Sequence, residues 1–217
     1  MAANRARGQR AGLTRQAVLE AALRLVDQEG LKALSMRRLG AELGVEAMTV
    51  YHHVPNKVAL LNGVIEQVVA EAVPPHFGDG APWREVLSAY AHALTAALRA
   101  HPNAVPLLLS QPAMTPRLTR TLEAVVAMLH EAGFPLPRAL DVAYSLTSLV
   151  VGHAAAQAGN VGGTDTLGSL APDTYPLLVR AARESGEDAA QTRFAFAVDA
   201  LLSGFERELA STPRRPR

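Results

Sequence analysis

Cysteine is absent from all 217 residues. That excludes thiol nucleophiles, cysteine-ligated zinc, iron–sulfur clusters and disulfide frameworks, and it is compatible with a reducing compartment. Aromatic residues are scarce at 5%, and β-branched runs are few beside abundant alanine and leucine, a balance that favours helix over sheet. No segment carries a strand pattern, and no internal repeat is present. The catalytic signatures G-x-S-x-G, H-E-x-x-H and G-x-G-x-x-G do not occur, so no enzymatic activity, cofactor or metal site is expected. The N-terminus lacks the apolar core of a secretory signal. The most apolar stretch, Leu140–Ala158, carries Asp141, Tyr144, Ser145, Thr147, Ser148 and His153, and reads as a buried helix rather than a membrane span.

What is present is a globular, helix-forming chain with 49% hydrophobic and 19% charged residues. It is long enough to bury a sizeable core. The net charge of +1 conceals a split: residues 1–60 hold nine Lys/Arg against five Asp/Glu, a balance of +4, whereas residues 73–217 hold twelve against thirteen, a balance of −1. A basic N-terminal end on a near-neutral body points to an anionic partner for that end. Residues 1–12 read as a basic flexible tail. Thr14 is placed to cap a helix ending near Glu29, and Ser35 to cap a short helix from Met36 to Leu43 that Gly44 stops. A third helix spans about Glu46 to His53. Val54-Pro55 ends it, because a residue before proline avoids the helical region. Asn56 opens a fourth helix, Lys57–Glu71, with an inward face of Leu61, Val64, Ile65, Val68 and Ala72.

The Pro/Gly-rich run 73–82 divides the chain, giving domains 13–72 and 81–210. Beyond it the spacing predicts helices over about Trp83–His101, Pro116–Glu131, Pro137–Ala158, Pro176–Ser185 and Asp188–Ala210, with an apolar piece Ala104–Ser110. The fold class is all-α.

The segment Leu34–Lys57, LSMRRLGAELGVEAMTVYHHVPNK, is two short helices joined by a Gly-Val turn, a helix-turn-helix arrangement. Ala41 is small where the helices must approach, Val45 and Val50 fasten the second helix to the first, and the remaining face carries polar residues suited to a major groove. His52 and His53 point about 100° apart on a helix, so DNA contact suits them better than one shared metal ion. The span Thr14–Val73, with AALRLVDQEGLKALSMRRLGAELGV followed by TVYHHVPNK, resembles the N-terminal domain of the tetracycline-repressor (TetR) family. The helix order beyond residue 80, including PLLVRAARESG, is similar to the family's ligand-binding domain.

The resemblance implies a homodimeric, cytoplasmic repressor of a palindromic double-stranded DNA operator, with no membrane association. By position, Ser35, Arg37, Ala47, Met48, Thr49, Tyr51, His52, His53 and Lys57 would contact DNA. Residues 137–158 and 188–210 would form the dimer bundle, and a small molecule bound in the C-terminal domain would release the operator. In tetracycline repressor a histidine late in the fifth helix holds the drug's magnesium, and His101 aligns with it. The surrounding polar drug contacts are out of register, and the interior is rich in Ala, Leu and Val. The expected effector is therefore apolar or amphipathic, near His101, Asn103, Tyr144 and His153. The alternative is a helical ligand-binding or interaction module with weak or lost DNA binding, motivated by the apolar Ala47-Met48 tip.

Overall fold

The computed structural model describes residues 13–72, 80–110, 115–159, 167–186 and 189–211. The expected basic tail at 1–12, most of the Pro/Gly-rich boundary and the C-terminal arginines lie outside the described residues. Within them the chain is α-helical with no strand. We number the helices α1 (Arg15–Glu29), α2 (Met36–Leu43), α3 (Ala47–His53), α4 (Lys57–Glu71), α5 (Trp83–Ala100), α6 (Val105–Ser110), α7 (Pro116–Glu131), α8 (Leu136–Ala158), α9 (Pro176–Ser185) and α10 (Ala189–Ser211). They fall into two compact units, one comprising residues 1–71 with 101–118 and the other 72–100 with 119–217. Residues 101–118, on the C-terminal side of the boundary read from sequence, group with the N-terminal helices.

The first unit is set by its caps. Thr14 is extended and its Oγ1 accepts the Ala17 N–H at 3.1 Å. Ser35 Oγ accepts from Arg38 N–H at 3.1 Å, and Asn56 Oδ1 from Ala59 N–H at 2.8 Å. Each such cap is worth about 1 kcal/mol, because it satisfies an amide that the helix itself cannot. Val18, Leu19, Ala22, Leu25 and Val26 of α1 are buried, the pattern of one helix face. They pack on α4 and α2.

Two glycines allow the closest approaches. A Cβ at Gly63 of α4 would lie 2.3 Å from Leu19 Cδ2, and one at Gly40 of α2 would lie 2.9 Å from the Val45 carbonyl oxygen. Gly40 therefore fills the role that sequence reasoning gave to Ala41, which is exposed: α2 turns its side one residue earlier toward α3. Val45 is only half-buried. α4 also differs from expectation. Leu60, not Leu61, is fully enclosed, and residues 63–69 are buried without a break. The helix is covered on several sides, with α1 and α6 among its neighbours.

In the second unit α5 packs along α8, and α10 lies against both. Val86, Leu87, Ala91, Leu94 and Leu98 of α5 meet a core that includes Leu146 and Val150 of α8 and Phe194, Val198 and Leu202 of α10. Arg84 ties the start of α5 to Asp199 at 2.5 Å and Glu206 at 2.6 Å on α10. Trp83 meets Phe134 edge-on at 5.3 Å.

α8 corrects the expectation of a buried helix. It is long and apolar enough to cross a bilayer by length and composition alone, with a mean hydropathy of 1.2, yet only 39% of that stretch is buried. Leu136, Leu140 and Tyr144 face outward, as do Phe196 of α10 and Leu177 and Leu178 of α9.

Candidate nucleic-acid interface and ligand cleft

α2 and α3 form the first candidate site. Gly44 adopts the left-handed conformation, φ 67° and ψ 29°, which suits glycine because it has no Cβ. The chain then turns through Val45, and Val45 N–H bonds to the Gly40 carbonyl at 2.9 Å. Val50 and Leu39 are fully buried and fix α3 on α2. The opposite face of α3 is left outward: Met48 is 65% exposed, and Tyr51 and His52 are exposed. Ala47, Thr49 and His53 are half-buried at the margins of that face.

Ser35, Arg37 and Lys57 are exposed on the flanking turns and helices. Ser35 is engaged as the α2 cap, while Arg37 and Lys57 have no ion-pair partner among the described residues. Their neighbour Arg38 differs: it binds Glu29 and, at 3.1 Å, Glu42. The Arg38 hydrogen bond holds the Glu29 carboxyl below the usual carboxylate range. Arg38 is thus neutralised within the fold, whereas Arg37 and Lys57 beside α3 remain available for phosphate. A slim helix with one exposed face, flanked by free cations, has the dimensions and charge to enter a major groove.

The four residues expected around an effector are separated. His101 Nδ1 lies 2.8 Å from Asp27 Oδ2, and Nε2 lies 3.3 Å from Glu71 Oε2. Asn103 Nδ2 donates to the Val26 and Asp27 carbonyls at 3.1 and 3.0 Å. Both residues thus fasten the end of α1 in the first unit. Tyr144 is exposed on α8.

Only His153 of the four lines a described cavity, a cleft of about 280 Å³ in the second unit, together with His92, Arg99, Gln157, Gln191 and Phe194. The Phe194 ring sits 4.6 Å from the His153 ring and 5.6 Å from that of His92. Burial first, then the charges of Arg193 and Arg99, hold the His153 imidazole below the usual histidine range. The residues missed from sequence lie on three separate helices, and no local pattern joins them. Phe194 alone had a legible signal, as part of the apolar stripe of α10. Among the described residues no cluster of His, Asp and Glu could hold a metal ion.

The first site defines a helix-turn-helix DNA-binding regulator. Residues 18–64 match the bacterial regulatory proteins of the tetR family, and residues 75–209 the tetracyclin repressor-like C-terminal domain. The chain belongs to the TetR family of transcriptional regulators. It is 36% identical over 152 residues to the HTH-type transcriptional repressor DrrR1 of Streptomyces coeruleorubidus, a match covering 70% of this chain and 56% of that protein. It is 30% identical over 205 residues to tetracycline repressor protein class E of Escherichia coli, covering 92% and 93% of the two. Among solved structures, apo ActR of Streptomyces coelicolor superposes with a TM-score of 0.76 at 26% identity, covering 92% of this chain and 98% of that one. ActR in complex with actinorhodin superposes at 0.74, with 26% identity and coverage of 92% and 99%.

Proposed function

We propose that this chain is a homodimeric repressor that binds a palindromic operator and is released by a small molecule held in its second unit. The observation that carries the reading is the outward face of α3, with Met48, Tyr51 and His52 flanked by the unpaired Arg37 and Lys57. Tyr51, Lys57, Arg37, Ser35 and Thr49 are suited to phosphate contact, which positions the protein, while Ala47, Met48, His52 and His53 are suited to base edges. Met48 and Ala47 offer apolar contact, the kind that a thymine methyl accepts.

The apolar residues that face outward on α8 and α10 favour a dimer bundle built from residues 137–158 and 188–210. A two-fold dimer reads a symmetric site, with its reading heads about 34–36 Å apart or at a related spacing. An effector that prefers one separation of the heads shifts the equilibrium toward it. The structures of ActR in complex with (S)-DNPA and with actinorhodin support a small-molecule effector. A cytoplasmic location is consistent with this reading.

The test is retardation of the DNA immediately upstream of the chain's own coding region. The expected result is a shift that Tyr51→Ala with Lys57→Ala removes while the dimer persists. Affinity for random duplex whose logarithm falls linearly with log salt supports the reading. No binding at low salt would leave a helical module without DNA function.

A further inference from the structure

The cleft between α5, α8 and α10 sets polar and positively charged groups beside apolar ones, which differs from the wholly apolar interior that composition suggests. Among the described residues its lining holds Arg99, His92, His153, Gln157 and Gln191 and no carboxylate. Arg99 has no ion-pair partner among the described residues, whereas Arg84 and Arg138 in the same unit are paired with acids of α10. Arg193, one residue before Phe194, bonds to the Ala189 carbonyl of its own helix at 3.1 Å and has no ion-pair partner among the described residues. His92 Nδ1 donates to the Ser88 carbonyl at 2.8 Å, which leaves Nε2 for another partner. Thr95 is satisfied by the Ala91 carbonyl at 2.9 Å. The polar groups of the lining left over are therefore one guanidinium, two imidazoles and two amides, with the Arg193 guanidinium outside the lining.

The field of these groups is visible on His153. Burial is the larger reason that a proton is disfavoured there, and the charges of Arg193 and Arg99 add to it; a field that repels a proton attracts an anion. Flat surface is available as well, because His153 and His92 flank the Phe194 ring, and Ala96 and Ala190 leave room beside them. The cavity of about 280 Å³ lies just below the usual range for ligand sites, about 300–1,000 Å³. That favours a small ring system over a large polycycle.

Resting on the regulator reading above, we propose that this cleft binds a one- or two-ring aromatic carboxylate, its ring against His153 beside Phe194 and its acid group met by Arg99. Arg193 adds positive field, and the amides of Gln157 and Gln191 serve a polar ring substituent. A planar guanidinium suits a carboxylate because two parallel N–H groups match its two oxygens. Among the described lining residues none offers a cation a counter-charge, which disfavours an amine of the same size.

The experiment uses the full chain with 1-naphthoate and its uncharged counterpart 1-naphthalenemethanol as probes. Binding is followed by calorimetry and by the thermal midpoint. The expected result is binding and stabilisation by the acid, with the alcohol weaker by about tenfold or more. Arg99→Gln removes that advantage, and Arg180→Gln, an exposed arginine of α9, leaves it unchanged. Equal binding of acid and alcohol, no binding of either, or an acid affinity indifferent to Arg99→Gln would overturn the proposal. Retardation of the upstream DNA by the ligand-free chain is measured alongside. If it persists while acid binding fails, only the ligand class falls; if it is absent, the regulator reading falls.

Discussion

The two units solve the burial of apolar surface differently. In the first, the large aliphatic residues of α1 and α4 are enclosed by their own neighbours, and what faces outward on α2 and α3 is short, polar or cationic apart from Met48 and Tyr51. In the second, long apolar side chains remain outside: Phe196 is 75% exposed and Leu177 71%, with Leu136 and Tyr144 also outward. Large apolar side chains left in water are unfavourable unless something covers them. On the proposed function, the contrast separates a surface suited to a polyanion from one suited to another protein surface. It also explains why one chain can carry both a reading head and an assembly face.

The sharpest way to break this contrast is to charge the second surface. Leu140→Glu with Phe196→Glu should leave the chain folded, because both side chains are exposed, and should give monomers by sedimentation. Operator affinity should then fall by about 10²–10⁴-fold, as the second half-site is lost. A normal dimer would remove α8 and α10 from the interface.

The next largest effect falls on the first unit. Gly40→Val places a side chain against the Val45 carbonyl, which is backbone and cannot swing aside. The expected destabilisation is about 1–3 kcal/mol, read by chemical denaturation, with DNA binding lost. Thr14→Ala should cost about 1 kcal/mol through the α1 cap alone, without changing the oligomeric state.

Lys57→Ala should lower the slope of log affinity against log salt by about 1 unit and weaken all sequences alike. An unchanged slope would take Lys57 out of the phosphate contacts.

The smallest effect is a pH dependence confined to the second unit. His153 has a depressed folded value, so the unfolded chain binds more protons as pH falls through the ordinary histidine range, near 6.5. Stability should therefore decline with falling pH across that window. His153→Gln should flatten the profile measured by thermal unfolding.

The first unit was the more legible of the two in sequence. Thr14, Ser35, Asn56 and Gly44 announce helix boundaries because a cap is a local hydrogen bond or a local backbone conformation, and the structure uses each of them as read. The outward residues of α3 were legible for the same reason: once Val50 is assigned inward, the helical period fixes the opposite face. Misreadings came where contact is between helices. Ala41 and Gly40 are adjacent small residues, and only the roll of α2 on α3 makes Gly40 the point of approach. His101 and Asn103 are ordinary polar residues in sequence, and their attachment to Asp27 and the end of α1 depends on a separation of more than seventy residues. Polarity near an assumed pocket does not reveal such a partner.

By itself the sequence determined the helices, their ends, the helix-turn-helix segment and the family to which they belong. These rest on interactions spanning a few residues, whose spacing the covalent chain dictates. The tertiary structure decided which arginines are neutralised within the fold and which are free, that residues 101–118 group with the first unit, and that Arg99, His153 and Phe194 share one cleft. Those facts depend on the rotation and offset of packed helices, a balance of many weak contacts that no single stretch of sequence encodes.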